Sequence, residues 1–89
     1  MLAFEMTIDK KEILARICYT DLVYDRINRK LRAAFTREEA ERFIYNVLNE
    51  TNVGQFTRTG KNIYVINDKK SIRITINSNT FRIITVDII

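Results

Sequence analysis

The stretch from Gly60 to Val86, GKNIYVINDKKSIRITINSNTFRIITV, decides the fold. Ile72, Ile74 and Ile76 alternate with Arg73, Thr75 and Asn77. A period of two marks a strand with one buried and one open face. Residues 63–66, Ile-Tyr-Val-Ile, favour a strand at every position, so the alternation there does not name the inner face. In the last segment Ile84, Val86 and Ile88 share one parity, while Phe81, Ile83, Thr85 and Asp87 share the other. Asn67-Asp68-Lys69-Lys70 and Asn77-Ser78-Asn79 are turn chemistry, because Asn and Asp tolerate positive φ and bond their own backbone. Thr59-Gly60 is a third turn, which makes residues 55–58 a leading strand. Strands over 55–58, 62–67, 71–77 and 80–88, joined by short connections, imply an antiparallel meander.

Upstream, three helices are expected, over 9–18, 21–33 and 36–50. Asp9 caps the first, Glu12 at N3 completes a capping box, and Ile8 and Ile13 form a hydrophobic staple. Its buried stripe is Ile13, Leu14, Ile17 and Cys18. Thr20 caps the second, whose stripe is Val23, Tyr24, Ile27 and Leu31. Thr36 and Glu39 cap the third, and its apolar face is Ala40, Phe43, Ile44, Val47 and Leu48. The amphipathic second and third helices are too short to stand alone in water and must be buried by the sheet. The expected architecture is therefore α+β: N-terminal helices on one face of a four-stranded antiparallel sheet, in one domain over 1–89. Residues 1–7 read as a short extended lead.

Composition excludes several chemistries. Histidine is absent and cysteine occurs once, at Cys18, so no zinc site of the usual kind and no Ser-His or Cys-His arrangement is available. No disulfide within the chain is possible, and Cys18 reads as a core thiol. Two glycines, Gly54 and Gly60, do not make a phosphate-cradling loop, and no cofactor is expected. No apolar run approaches the roughly 20 residues that span a bilayer, and Glu5 interrupts the N-terminus, so neither a membrane nor a signal peptide is expected. Cytoplasmic residence is the default reading. Asp21 and Asp25 share a helix face with Arg26 and Arg29 within reach as salt-bridge partners, which argues for a solvated surface.

Charge is unevenly placed. Residues 1–50 carry nine basic and nine acidic side chains, whereas residues 51–89 carry six basic and two acidic ones, so the net +4 sits on the sheet half. That placement points to an anionic partner. Arg73 and Thr75 line the strand face opposite the isoleucines, Tyr64 and Thr85 belong to neighbouring strands, and Arg58 and Arg82 join them if the registers suit. Lys61 opens the second strand, and Arg26, Arg29 and Lys30 form a basic face on the second helix. Arginines clamp phosphate, hydroxyls donate, and an aromatic ring stacks a base. RNA or another nucleic acid is one partner of that chemistry. The competing reading is a solvated face whose arginines discourage edge pairing. A protein partner, or a homodimer through exposed Ile83, Ile88 and Ile89, remains open as well.

The strings Gly60-Lys61-Asn62-Ile63-Tyr64-Val65, Ile74-Thr75-Ile76-Asn77 and Ile83-Ile84-Thr85-Val86 resemble a family of small bacterial domains of unknown function. Tyr19-Thr20-Asp21-Leu22, Arg26-Ile27 and Leu31 fall at matching places upstream. More distantly, helices followed by a sheet ending Ile-Ile-Thr-Val are similar to the barnase–EndoU–colicin–RelE nuclease fold. That resemblance implies a nuclease-like or toxin-like domain of a bacterium or mobile element, with Thr85, Tyr64, Lys61 and Arg26 at its site. Tyr19 stands where the family tends to show histidine, so the resemblance implies a fold that binds RNA more readily than it cuts it. A phage or mobile-element inhibitor, or an antitoxin-like protein-binding module, is the alternative.

Overall fold

A computed structural model describes residues 8–89. The expected lead over 1–7 lies outside the described residues. Three helices, α1 (Lys10–Arg16), α2 (Asp21–Leu31) and α3 (Arg37–Glu50), precede four strands, β1 (Phe56–Thr59), β2 (Asn62–Asn67), β3 (Ile72–Asn77) and β4 (Ile83–Ile88). The strands pair antiparallel in the order β1-β2-β3-β4. The fold is an α+β arrangement with the helices on one side of the sheet.

Local chemistry sets the helix ends. The Asp9 side chain accepts from the Glu12 backbone N–H at 3.1 Å, while the Glu12 carboxylate turns away to Arg16 at 2.9 Å. Thr36 and Glu39 form the full reciprocal box of α3, at 3.1 and 2.8 Å. Thr20 precedes α2 in extended backbone but makes no side-chain cap. Arg32 ends α2 in a left-handed conformation (φ 54°).

The apolar stripes meet over one sheet face. Ile13, Val23, Ile27, Ala40, Ile44, Val47 and Leu48 are buried against Phe56, Ile63, Val65, Ile72, Ile74, Ile76, Ile83 and Val86. Full burial of an aliphatic side chain of this size stabilises by about 1.5–3 kcal/mol. The ambiguous β2 is settled by this face: Ile63 and Val65 point in, and Tyr64 and Ile66 point out.

Several expectations are corrected. α1 stops at Arg16, because Ile17 takes an extended backbone (ψ 143°). Cys18 is therefore exposed and not a core thiol; it forms an isolated parallel bridge with Arg82, through Cys18 N–H to Phe81 O at 3.0 Å and Ile83 N–H to Cys18 O at 2.9 Å. The last strand starts at Ile83, since Phe81 sits at φ 62° and turns the chain first. Finally, the parity of β4 is broken. Thr75 pairs with Thr85 but Ile76 pairs with Ile83, so Ile84 is an extra residue and a bulge. Ile83 and Val86 are thereby both buried, which removes Ile83 from any exposed self-complementary patch; Ile88 and Ile89 stay exposed.

Candidate functional site

The sheet face that the helices leave uncovered carries three cross-strand rows. The central row runs Thr57, Tyr64, Thr75, Thr85 across all four strands. To one side lie Thr59, Asn62 and Asn77; to the other lie Ile66, Arg73 and Asp87. Directly paired side chains in such rows stand about 4.5–5.5 Å apart at Cβ. Tyr64 is half-buried, and its hydroxyl accepts from Asn62 Nδ2 at 3.2 Å. This bond fixes the phenol end of the side chain.

The row is more enclosed than an open face suggests. Thr75 is only 5% exposed, so it spaces the row more than it offers a contact. The Thr85 hydroxyl is buried without a hydrogen-bond partner among the described residues. A buried hydroxyl in that state costs on the order of 1–3 kcal/mol.

The expected arginine convergence does not form. Arg58 pairs with Ile63, which pairs with core-facing Ile76, so Arg58 emerges on the helix side. There it lines a cleft with Asp9, Glu12, Ile13, Ser78 and Phe81. Arg82 precedes β4 beside Cys18 and shares a groove with Arg26 of α2. Arg26 Nη1 donates to the Ile84 carbonyl at 2.9 Å and so caps a backbone acceptor of the edge strand. Arg29 is exposed on α2. Lys61 lies at the β1–β2 turn, whose Gly60 has φ 61°, and its carbonyl accepts from Ser78 N–H at 2.7 Å.

Of the basic side chains, Arg73 alone stands within the three rows. Its charge is shared: Asp87 lies 2.8 Å from Lys30 Nζ and 3.7 Å from Arg73 Nη2. The hydrogen bond from Lys30 is the main cause holding the Asp87 carboxyl below its ordinary value, with Arg73 adding to it. Sequence reasoning named both cations but overlooked Asp87, the carboxylate between them. Its signal was present, since Asp87 falls on the Arg73 face by parity once β3 and β4 are aligned.

Asp21 pairs with Arg37 at 3.2 Å and not with Arg26 or Arg29. The tyrosines with perturbed acidity lie elsewhere. Tyr19 stacks on Tyr24, with ring centroids 5.5 Å apart, and burial pushes its phenol upward. Tyr24 is pushed up to about 12 by burial and by donating to Glu41 at 2.5 Å. A raised phenol is a poor source of phenolate, and a depressed carboxyl is a poor base, so neither is tuned for proton abstraction near neutral pH. Among the described residues no group of three or more potential metal ligands is assembled, and no helix is long and apolar enough to cross a membrane.

No curated protein and no solved structure matches the chain at a significant level. A family model does: the helices from α1 onward and nearly the whole sheet, residues 11–87, match the family described as protein of unknown function (DUF3781), and the chain belongs to that family.

Proposed function

We infer that the open sheet face binds a short single-stranded segment of RNA or related nucleic acid, and that it binds without cutting. The observation that carries this reading is the central row, with Tyr64 in the middle of the sheet and Arg73 one step along it. Tyr64 offers a ring on which one base stacks, Asn62 lies on the same face for a base edge, and Arg73 serves a flanking phosphate. The absence of histidine, the commonest general base, favours binding over cleavage. The nuclease-like or toxin-like part of this reading rests on the sequence resemblance alone.

The geometry reshapes the expected energetics. A surface with Arg58, Arg73 and Arg82 together would bind with a steep salt dependence. With Arg73 serving one phosphate, the slope of log K against log salt should be only about −0.7. Titration of a labelled oligouridine at low salt, by fluorescence anisotropy, tests both points. Tyr64→Ala should weaken binding by roughly 5- to 150-fold, the worth of one stacked base. Arg73→Ala should make the slope shallower by about 0.7. Undetectable binding at low salt, or a Tyr64→Ala variant that binds as well as the parent, rules the reading out.

A further inference from the structure

A second surface lies apart from the open face, where α2 runs beside β4. A groove of about 210 Å³ opens there among Leu22, Val23, Arg26, Arg82, Ile83 and Ile84. Val23 and Ile83 are buried and form its floor. Leu22 forms the rim and is 75% exposed, the most exposed of the large apolar side chains described. Leu22, Arg26 and Arg29 fall on one stripe of α2 by i, i+4, i+7 spacing.

The charges here are uncompensated. Neither Arg26 nor Arg82 has a carboxylate within salt-bridge distance among the described residues, whereas Arg16, Arg37 and Arg73 each have one. The acids nearest Arg26 in sequence are Asp25, which lies about 100° around α2, and Asp21, which is taken up by Arg37; the acid nearest Arg82 is Asp87, which is taken up by Lys30 and Arg73. Arg26 spends Nη1 on the Ile84 carbonyl and keeps further donors free.

Size and chemistry choose the occupant. The volume is below the roughly 300–1,000 Å³ usual for small-molecule sites and suits a single aliphatic side chain. The lining has no aromatic ring, so it offers a nucleobase no stacking surface. Apolar floor and paired guanidinium groups together fit a leucine or isoleucine flanked by aspartate or glutamate. We propose that this groove docks an acidic, aliphatic segment of a partner protein, with the aliphatic side chain against Leu22 and Ile84 and a carboxylate on Arg82 and Arg26. The site is independent of the nucleic-acid reading, because its residues and those of the central row do not overlap.

The test uses the full chain, ¹⁵N-labelled, and the peptide acetyl-Asp-Asp-Leu-Glu-Asp-amide, followed by amide chemical-shift mapping. Binding on the order of 0.1–1 mM is expected, with shifts at Leu22, Ile83 and Ile84 and none at Tyr64 or Arg73. Replacing the peptide leucine by alanine, or Arg82→Glu in the protein, should weaken binding at least fivefold. Both Leu22 and Arg82 are exposed, so Leu22→Ser and Arg82→Glu should keep a folded spectrum, and Leu22→Ser should also weaken binding. The proposal is overturned by an absence of shifts at millimolar peptide. It is equally overturned if Arg82→Glu binds the peptide unchanged, or if oligouridine and not the peptide shifts the groove. Loss of oligouridine binding to the open face leaves this result unaffected, so the two readings fail separately.

Discussion

The two faces of β3 are made by the same six residues and differ in almost everything else. Ile72, Ile74 and Ile76 are buried beneath the helices, and each has apolar neighbours contributed by distant parts of the chain. Arg73, Thr75 and Asn77 face the uncovered side, yet Thr75 is nearly as enclosed as the isoleucines. The difference lies in what encloses them. On the covered face burial comes with apolar packing, whereas on the open face it leaves the neighbouring Thr85 hydroxyl without a partner. Burial on one side is therefore stabilising, and on the other it stores a cost.

The largest test of this contrast is Ile74→Ala. It removes a fully buried side chain from the centre of the sheet and should cost about 2–5 kcal/mol, seen as a lower denaturation midpoint. A loss below about 1 kcal/mol would mean that the covered face is loosely packed. Thr85→Val should have the opposite sign. Replacing an unpartnered buried hydroxyl by a methyl of similar shape should stabilise by about 1 kcal/mol, raising Tm by roughly 4–8 °C for a chain this size. Destabilisation by Thr85→Val would show that the hydroxyl has a partner in solution.

Smaller effects follow from Asp87. Its carboxyl is depressed in the folded chain relative to 3.8, chiefly by the Lys30 hydrogen bond. Its contribution is thus present above that ordinary value and is lost as pH falls through the lower folded-state value. Asp87→Asn should lower stability near neutral pH by less than about 1 kcal/mol, since Lys30 and Arg73 are both substantially solvated. The same variant should flatten the acid limb of the stability profile below about pH 4. An unchanged limb would place the acid sensitivity elsewhere. Removing Asp87 also frees Arg73, so oligouridine affinity should rise slightly and its salt slope steepen.

Much of the covered face was legible in the sequence. The Ile72–Ile76 alternation, the Thr36–Glu39 box and the apolar stripe of α3 each rest on local periodicity or capping, which short-range physics dictates. Placement of the arginines was not legible, for a reason specific to each. β1 has four residues and only Phe56 as an apolar anchor, so its register, and with it the side of Arg58, is set by pairing with β2. Arg82 lies before the bulge, where parity counted back from Val86 fails. Cys18 depended on where α1 stops, and no proline or glycine marks that point. Counting charge by halves located the excess but could not distribute it between two faces and an edge.

The bridge between Cys18 and Arg82 has a consequence for the order in which the molecule assembles. Cys18 is hydrogen-bonded to the residues flanking Arg82, Arg26 reaches 58 positions along the chain to Ile84, and Lys30 reaches 57 to Asp87. The segment from Cys18 through α2 thus finds its anchorage on a strand made long after it. During synthesis, α2 must wait, with much of its apolar stripe unsheltered, until β4 has emerged. Such long-range closure slows folding relative to locally connected helical proteins. It also makes pairing of β4 the step that secures α2, so a nascent chain stalled before Ile83 would hold α2 without the strand it packs on.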